Sequence, residues 1–163
     1  MYIMRFFAVL LCSLAVVSWW RPSANADSKA LEAYPTPRIV TGQASAASGC
    51  AVNIRGGEVH LLPLKCLGDE SRLAIVVRGH LKDMVSNGKA TCVLLARDMA
   101  GRRYGQCMLE GQDIAAKMIE AGWGIVIPRS ANTAAFHQLL EAYDTLERHS
   151  RAAGYGIWAK SGQ

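Results

Sequence analysis

The 163-residue sequence has no second long apolar run after the one near its start, no closely spaced cysteine pair, no internal repeat and only five prolines. Each absence removes a class of protein. Downstream of Phe6–Trp20, no stretch approaches the roughly 20 apolar residues a membrane-spanning helix needs. The cysteines beyond that run, Cys50, Cys66, Cys92 and Cys107, never form the C-x₂₋₄-C spacing of common structural zinc sites. Fifteen glycines without a period exclude a collagen-like chain. Charged residues make up 19% against 51% hydrophobic, so the chain can bury a core and is not a disordered tract. Acidic residues are the scarcer sign, 13 against 18 Lys and Arg, and the resulting +5 favours anionic partners or surfaces without naming one. His60 and His80 have no sequence neighbour that would complete a catalytic pair, and both read as solvated or core histidines.

What is present begins with a targeting pattern. A short start bearing Arg5 precedes the apolar run, Arg21-Pro22 stops it, and Ala24-Asn25-Ala26 supplies the small residues a signal peptidase reads. Residues 1–26 are therefore expected to be a signal peptide cleaved after Ala26, leaving an exported chain, periplasmic or secreted, with no stable membrane span. Loss of Arg5 and Arg21 lowers the formal net charge from +5 to +3. Cys12 leaves with the signal, and an even set of four cysteines in an oxidising compartment points to two disulfides. Residues 27–48, with Pro35, Pro37 and a run of Ala, Ser and Gly, read as a flexible leader, and 49–160 as the folded domain.

Within that domain the periodicity changes in order. Residues 51–64 read as two strands about a Gly56-Gly57 turn. Asp69 to Asn87 carries Leu73, Val76, Val77, Leu81, Met84 and Val85 on one helical stripe, with Asp69 or Ser71 as the cap. Residues 90–109 read as a hairpin, and a two-residue Met99-Ala100 turn places Cys92 opposite Cys107, at cross-strand spacing a disulfide can bridge. Cys50 and Cys66 remain for the second bond. A short helix follows from Gln112, with Ile114, Met118 and Ala121 inward, and then an extended link over 123–127. A longer helix, capped by Asn132, buries Phe136, Leu139, Leu140, Tyr143 and Leu146.

Several local patterns then recur in a fixed order: Asn87-Gly88-Lys89-Ala-Thr-Cys92, Asp98 with Arg103-Tyr104-Gly105 before Cys107, Gly111-Gln-Asp113-Ile114, Met118-Ile-Glu-Ala-Gly-Trp123, and a helix leading to Gly156-Ile-Trp158. Over about residues 70–159 this order resembles the secreted thermonuclease family, the staphylococcal-nuclease-like domains. The resemblance implies an α+β fold, a five-stranded OB barrel with about three packed helices, matching the order of elements read above.

It also implies calcium-assisted hydrolysis of DNA or RNA phosphodiesters. That chemistry requires carboxylates to hold the cation, a Glu to activate water, and two Arg to neutralise charge on the phosphoryl oxygens. The second of these Arg normally follows Tyr-Gly, and here Tyr104-Gly105 is followed by Gln106, a neutral amide. His60 occupies the place of the first, and the later Asp and Glu positions fall near Lys65 and Gly68. A shifted alignment would enlist Glu58, Asp69 or Glu70. His60 and Gln106 thus read as degenerate catalytic positions. No catalytic residue or metal ligand is carried over, and calcium would be a cofactor only of an active nuclease. OB folds bind nucleic acids or sugars in grooves lined by basic and aromatic groups, which singles out Arg97, Arg102, Arg103 and Tyr104. The leading expectation is an inactive, disulfide-stabilised domain that binds nucleic acid or an anionic polysaccharide. Its alternatives are a calcium-dependent nuclease and an accessory protein of exopolysaccharide biosynthesis.

Overall fold

A computed structural model describes residues 31–68, 71–86 and 88–159; the expected signal peptide, Asp69, Glu70, Asn87 and the side chain of Asn132 lie outside the described residues. In chain order the elements are β1 (Glu32–Ala46), β2 (Ala51–Ile54), β3 (Gly57–Leu61), α1 (Arg72–Val85), β4 (Lys89–Arg97), β5 (Arg103–Leu109), β6 (Gln112–Asp113), α2 (Ile114–Glu120) and α3 (His137–Ala153), with 3₁₀ turns at 131–136 and 156–158. The strands run β3-β2-β1-β4-β5-β6, and a parallel β3–β5 pairing closes the first five into a barrel. This is the expected α+β architecture of a five-stranded barrel with three helices.

Alternation builds the barrel interior. Ala90, Cys92, Leu94 and Ala96 of β4 are buried while their neighbours face outward, as the two-residue strand period demands. Val52, Ile54, Val59 and Leu61 complete the same core from β2 and β3. Between these two strands, Arg55 (φ 50°) and Gly56 (φ 74°) form the turn, with Ile54 paired to Gly57. Two consecutive left-handed residues match the twist of a tight hairpin, so the turn lies one residue earlier than Gly56-Gly57.

Residues 32–46, expected in a flexible leader, instead form β1, which pairs with both β2 and β4. The folded unit therefore begins well before residue 49. Composition misleads here because only Ala44 of this strand is buried, so no apolar period develops. Pro35 and Pro37 also interrupt it, and the pairing jumps from Ala33↔Ala96 to Arg38↔Leu94 across them. Proline lacks the N–H that a ladder uses and is confined to edges and bulges.

Helix positions shift within the expected spans. Ser71 caps α1, its hydroxyl accepting from the Ala74 N–H at 3.0 Å. The buried stripe is Ala74, Val77, Leu81 and Val85, whereas Leu73 and Val76 face outward. Asp113 caps α2 by accepting from the Ala116 N–H at 3.1 Å, and Ile114, Ala115, Met118 and Ile119 are buried while Ala121, expected inward, is exposed. The extended link pairs with the segment after β3 through Lys65 N–H to Ile125 O (2.7 Å) and Ile127 N–H to Pro63 O (2.8 Å). In α3, Leu140 and Tyr143 are buried, and the buried Glu147 accepts from the Val126 N–H at 2.6 Å and from Arg151. Arg151 in turn lies over the Trp158 ring at 3.8 Å, tying the C-terminal segment to the helix.

Both expected disulfides are formed. Cys92 and Cys107 are directly opposite in the β4–β5 ladder with Cα atoms 4.0 Å apart, and Cys50 and Cys66 are bridged with Cα atoms 5.2 Å apart. The turn that delivers the first pairing differs from expectation. Arg97 pairs with Arg103, residues 98–102 form the loop, and a bulge between Leu94 and Ala96 absorbs the one-residue offset before the cysteines. Replacing both Cys92 and Cys107 by alanine is expected to lower the unfolding free energy by about 3 kcal/mol, the chain-entropy value for a loop of this length. Urea denaturation measures it, and an unchanged midpoint would contradict the assignment.

Candidate binding site

Barrel closure sets His60 beside Tyr104, because the parallel register pairs these two residues. Their rings stack with centroids 5.0 Å apart. Arg102 and Arg103 enter from the β4–β5 hairpin and Glu58 from β3, lining with His60, Ala100 and Gly101 a cleft of about 290 Å³. The Arg103 guanidinium lies against Gly57, where a Cβ would come within 1.9 Å of Nη2, and its Nε donates to the Glu58 carbonyl at 3.1 Å. A side chain at position 57 would expel Arg103 from the cleft.

Asp98 organises the hairpin. Its buried carboxylate accepts from the backbone N–H groups of Ala100 (2.9 Å) and Arg102 (3.0 Å), from Arg102 Nε (2.7 Å), and from the Tyr104 hydroxyl at 3.4 Å. Burial pushes this carboxyl up, but the bonds from Arg102 and Ala100 more than offset it and hold Asp98 below the usual carboxylate value. Arg102 is thereby neutralised by an internal partner. Glu58 Oε1 stands 3.2 Å from His60 Nε2, and the other ring nitrogen, Nδ1, lies 3.6 Å from Cys66 Sγ. Burial lowers the His60 pKa, and Glu58 only partly opposes it.

Of the four residues singled out for binding, three share this region. Arg102 and Arg103 line the cleft, and Tyr104 forms the platform behind His60. Arg97 is absent from the lining; its Nε donates to Glu32 Oε2 at 3.0 Å, across the sheet on β1. At the cleft Arg102 is paired with the Asp98 carboxylate, whereas Arg103 is held by the Glu58 backbone carbonyl, so the positive charge read from the sequence is only partly balanced.

Gln106 is held elsewhere. Its amide nitrogen donates to Asp113 Oδ2 at 2.7 Å and to the Tyr143 hydroxyl at 3.0 Å, and that hydroxyl donates to the same Asp113 oxygen. Burial and the Asp113 carboxylate push the Tyr143 pKa upward, so the phenol stays a proton donor. The triad joins β5, the start of α2 and α3. Sequence reasoning missed it because 37 residues separate Gln106 from Tyr143, and Tyr143 occupies an ordinary core position of the α3 stripe.

A hard cation such as calcium takes six to eight oxygen ligands, mostly carboxylate and carbonyl. The described residues here do not fit one; Asp69 and Glu70 lie outside them. Lys65 brings a positive charge, Gly68 has no side chain, Glu58 is engaged by His60, and Asp98 is saturated by its donors. Among the described residues, one trio of metal-ligand type gathers its ligating atoms within 4.8 Å, Cys50, His60 and Cys66, and there both sulfurs are consumed in the disulfide.

The family model for staphylococcal nuclease homologues matches residues 77–160, from the middle of α1 to the C-terminal segment. The matched span takes in the β4–β5 hairpin, Gln106, Asp113 and Tyr143, and it excludes β1–β3 with Glu58 and His60. Among curated proteins no match is found.

The His60 environment generates a pH prediction. The imidazole pKa is depressed below its ordinary 6.5 in the folded state, so in acid the unfolded chain takes up a proton that the folded chain resists. Stability should therefore fall as pH drops from 6.5 through the folded value. Thermal unfolding followed from about pH 7 to pH 5 is expected to show this decline, with the slope reduced in His60→Gln.

Proposed function

The chain belongs to the staphylococcal nuclease homologue family, and from that membership we propose an exported domain that has given up phosphodiester hydrolysis and acts by binding. The observation that carries this reading is the fate of Gln106. Where the family resemblance calls for an arginine after Tyr-Gly, an uncharged amide stands, directed into the internal Asp113–Tyr143 pair. An amide supplies neither the full positive charge nor the two-pronged contact by which a guanidinium stabilises a phosphoryl transition state. His60 at the first arginine position is buried, with a lowered pKa, and engaged by Glu58, Tyr104 and Cys66. The described residues around it offer no set of free carboxylates for calcium.

The cleft supports the binding half of the proposal, and its charge balance narrows the ligand. Nucleic-acid affinity grows with the number of phosphates neutralised by unpaired Lys and Arg. Here Arg102 is paired with Asp98 and Arg97 with Glu32, which leaves Arg103, bonded to the Glu58 backbone carbonyl, as the cleft's one arginine without a carboxylate partner among the described residues. A polysaccharide of low charge density suits this surface better than a polynucleotide, consistent with an accessory role in exopolysaccharide biology. Export is supported by the signal-like N-terminal sequence and agrees with two disulfides.

Incubation of purified protein with single-stranded DNA and RNA, with calcium or with chelator, is expected to show no calcium-dependent cleavage. Calcium-dependent turnover that is absent from a mock purification and lost on replacing Glu58 or Asp98 would sink the inactive reading. In titrations at two salt concentrations, glycan binding should hold while any polynucleotide binding falls steeply. N-terminal sequencing of the protein recovered outside the cytoplasm should begin at Asp27.

A further inference from the structure

The two disulfides occupy opposite environments. Cys92 and Cys107 are fully buried in the barrel interior. Cys50–Cys66 is asymmetric: Cys50 is buried, 2% exposed, while Cys66 lies at the surface. Only this second bond has an imidazole against it, with His60 Nδ1 at 3.6 Å from Cys66 Sγ and Glu58 Oε1 at 3.2 Å from the far nitrogen, Nε2. On the other side, the Ser48 hydroxyl lies 3.3 Å from Cys50 Sγ.

We propose that Cys50–Cys66 is a thiol–disulfide exchange centre, with Cys66 as the exchanging sulfur, Cys50 as the resolving sulfur, and the Glu58-held His60 as the group that activates Cys66. The arrangement has the order of an activated nucleophile: thiol, base, and a third group orienting the base. Glu58 facing Nε2 retains the proton there, which leaves Nδ1 free to accept the Cys66 proton and form a thiolate–imidazolium pair. Other groups facing His60 are Tyr104 of β5, and Asp98 and Arg102 of the hairpin. Arg102 and burial oppose an imidazolium, whereas Glu58, Asp98 and the thiolate itself favour it.

The reaction partner is a thiol-bearing peptide or protein. Its thiolate attacks Cys66 Sγ, the sulfur of the exposed cysteine; the Cys50–Cys66 bond breaks, and the electron pair leaves on Cys50, which takes a proton from water. A second thiolate of the partner attacks the partner's sulfur in the mixed disulfide, releasing Cys66 as a thiolate beside His60. Two partner thiols become one disulfide, and Cys50–Cys66 becomes two thiols. The reverse sequence reduces a partner disulfide. Neither step involves Gln106, so the centre does not depend on the loss of hydrolysis, although it shares Glu58 and His60 with the cleft.

The test uses the intact oxidised protein and its second disulfide as an internal control. In graded mixtures of reduced and oxidised dithiothreitol, followed by alkylation and peptide mapping, Cys50–Cys66 should open while Cys92–Cys107 stays closed and the circular dichroism remains native. In the selectively reduced protein, the ultraviolet thiolate absorbance should titrate at least about one pH unit below the ordinary thiol value near 8.5. His60→Gln should return that midpoint to the ordinary value, and Glu58→Gln should move it part of the way if the first variant fails to fold. Opening of both bonds together, only on unfolding, overturns the proposal. So does a thiolate midpoint at the ordinary value in the otherwise native protein.

Discussion

The parallel pairing of β3 with β5 is the contact from which the rest of this molecule follows. It closes the barrel, bringing Val59, His60 and Leu61 alongside Arg103, Tyr104 and Gly105, with the Leu62 N–H donating to the Gly105 carbonyl at 2.9 Å. Gly105 makes the geometry possible, since a Cβ there would approach the Val93 carbonyl oxygen of β4 to 2.5 Å. Closure removes one pair of exposed strand edges. It also aligns two chain segments that share no local sequence logic, so that an imidazole, a phenol, a carboxylate and two guanidinium groups meet at one surface.

What those groups do is decided by pairing more than by count. Asp98 satisfies Arg102 and two backbone donors, Glu58 holds His60, and Asp113 holds Gln106 and Tyr143. Buried polar groups of this kind are stable because each lone pair or proton has a partner, and a group so satisfied is not poised to hold a cation or a phosphate. A shared scaffold can thus persist while the chemistry on it changes, since the barrel depends on apolar alternation and the chemistry depends on which polar groups are left unpaired.

Much of the fold was legible in the chain. The β4 alternation and the α1 and α3 stripes express short-range periodicities that a linear reading can follow, whereas the Cys92–Cys107 pairing holds only because a bulge offsets a longer turn. Failures cluster where a second element supplies the reason for structure. β1 carries one buried side chain and two prolines, so its strand conformation is secured by hydrogen bonding to β2 and β4 and leaves little trace in its own residues. Leu73 and Val76 fit the α1 stripe by spacing, but Ala74 turns inward because the barrel surface meets that helix one residue further round. In the candidate site, Gln106 and His60 are visible as departures from a family pattern, whereas Arg97 neighbours the basic cluster in sequence but does not join it in space.

By itself, the sequence determined the class of fold, the missing arginine after Tyr104-Gly105 and, through one hairpin pairing and elimination, the partners of the four cysteines, because each follows from residue type and spacing within neighbouring segments. Only the tertiary structure decided that Gln106 is bound to Asp113 and Tyr143, that Arg97 and Arg102 are paired with carboxylates, and that Cys66 lies beside His60. Those outcomes depend on distances between residues brought together by barrel closure and helix packing, and a one-dimensional pattern carries no record of which charges will find each other across that gap.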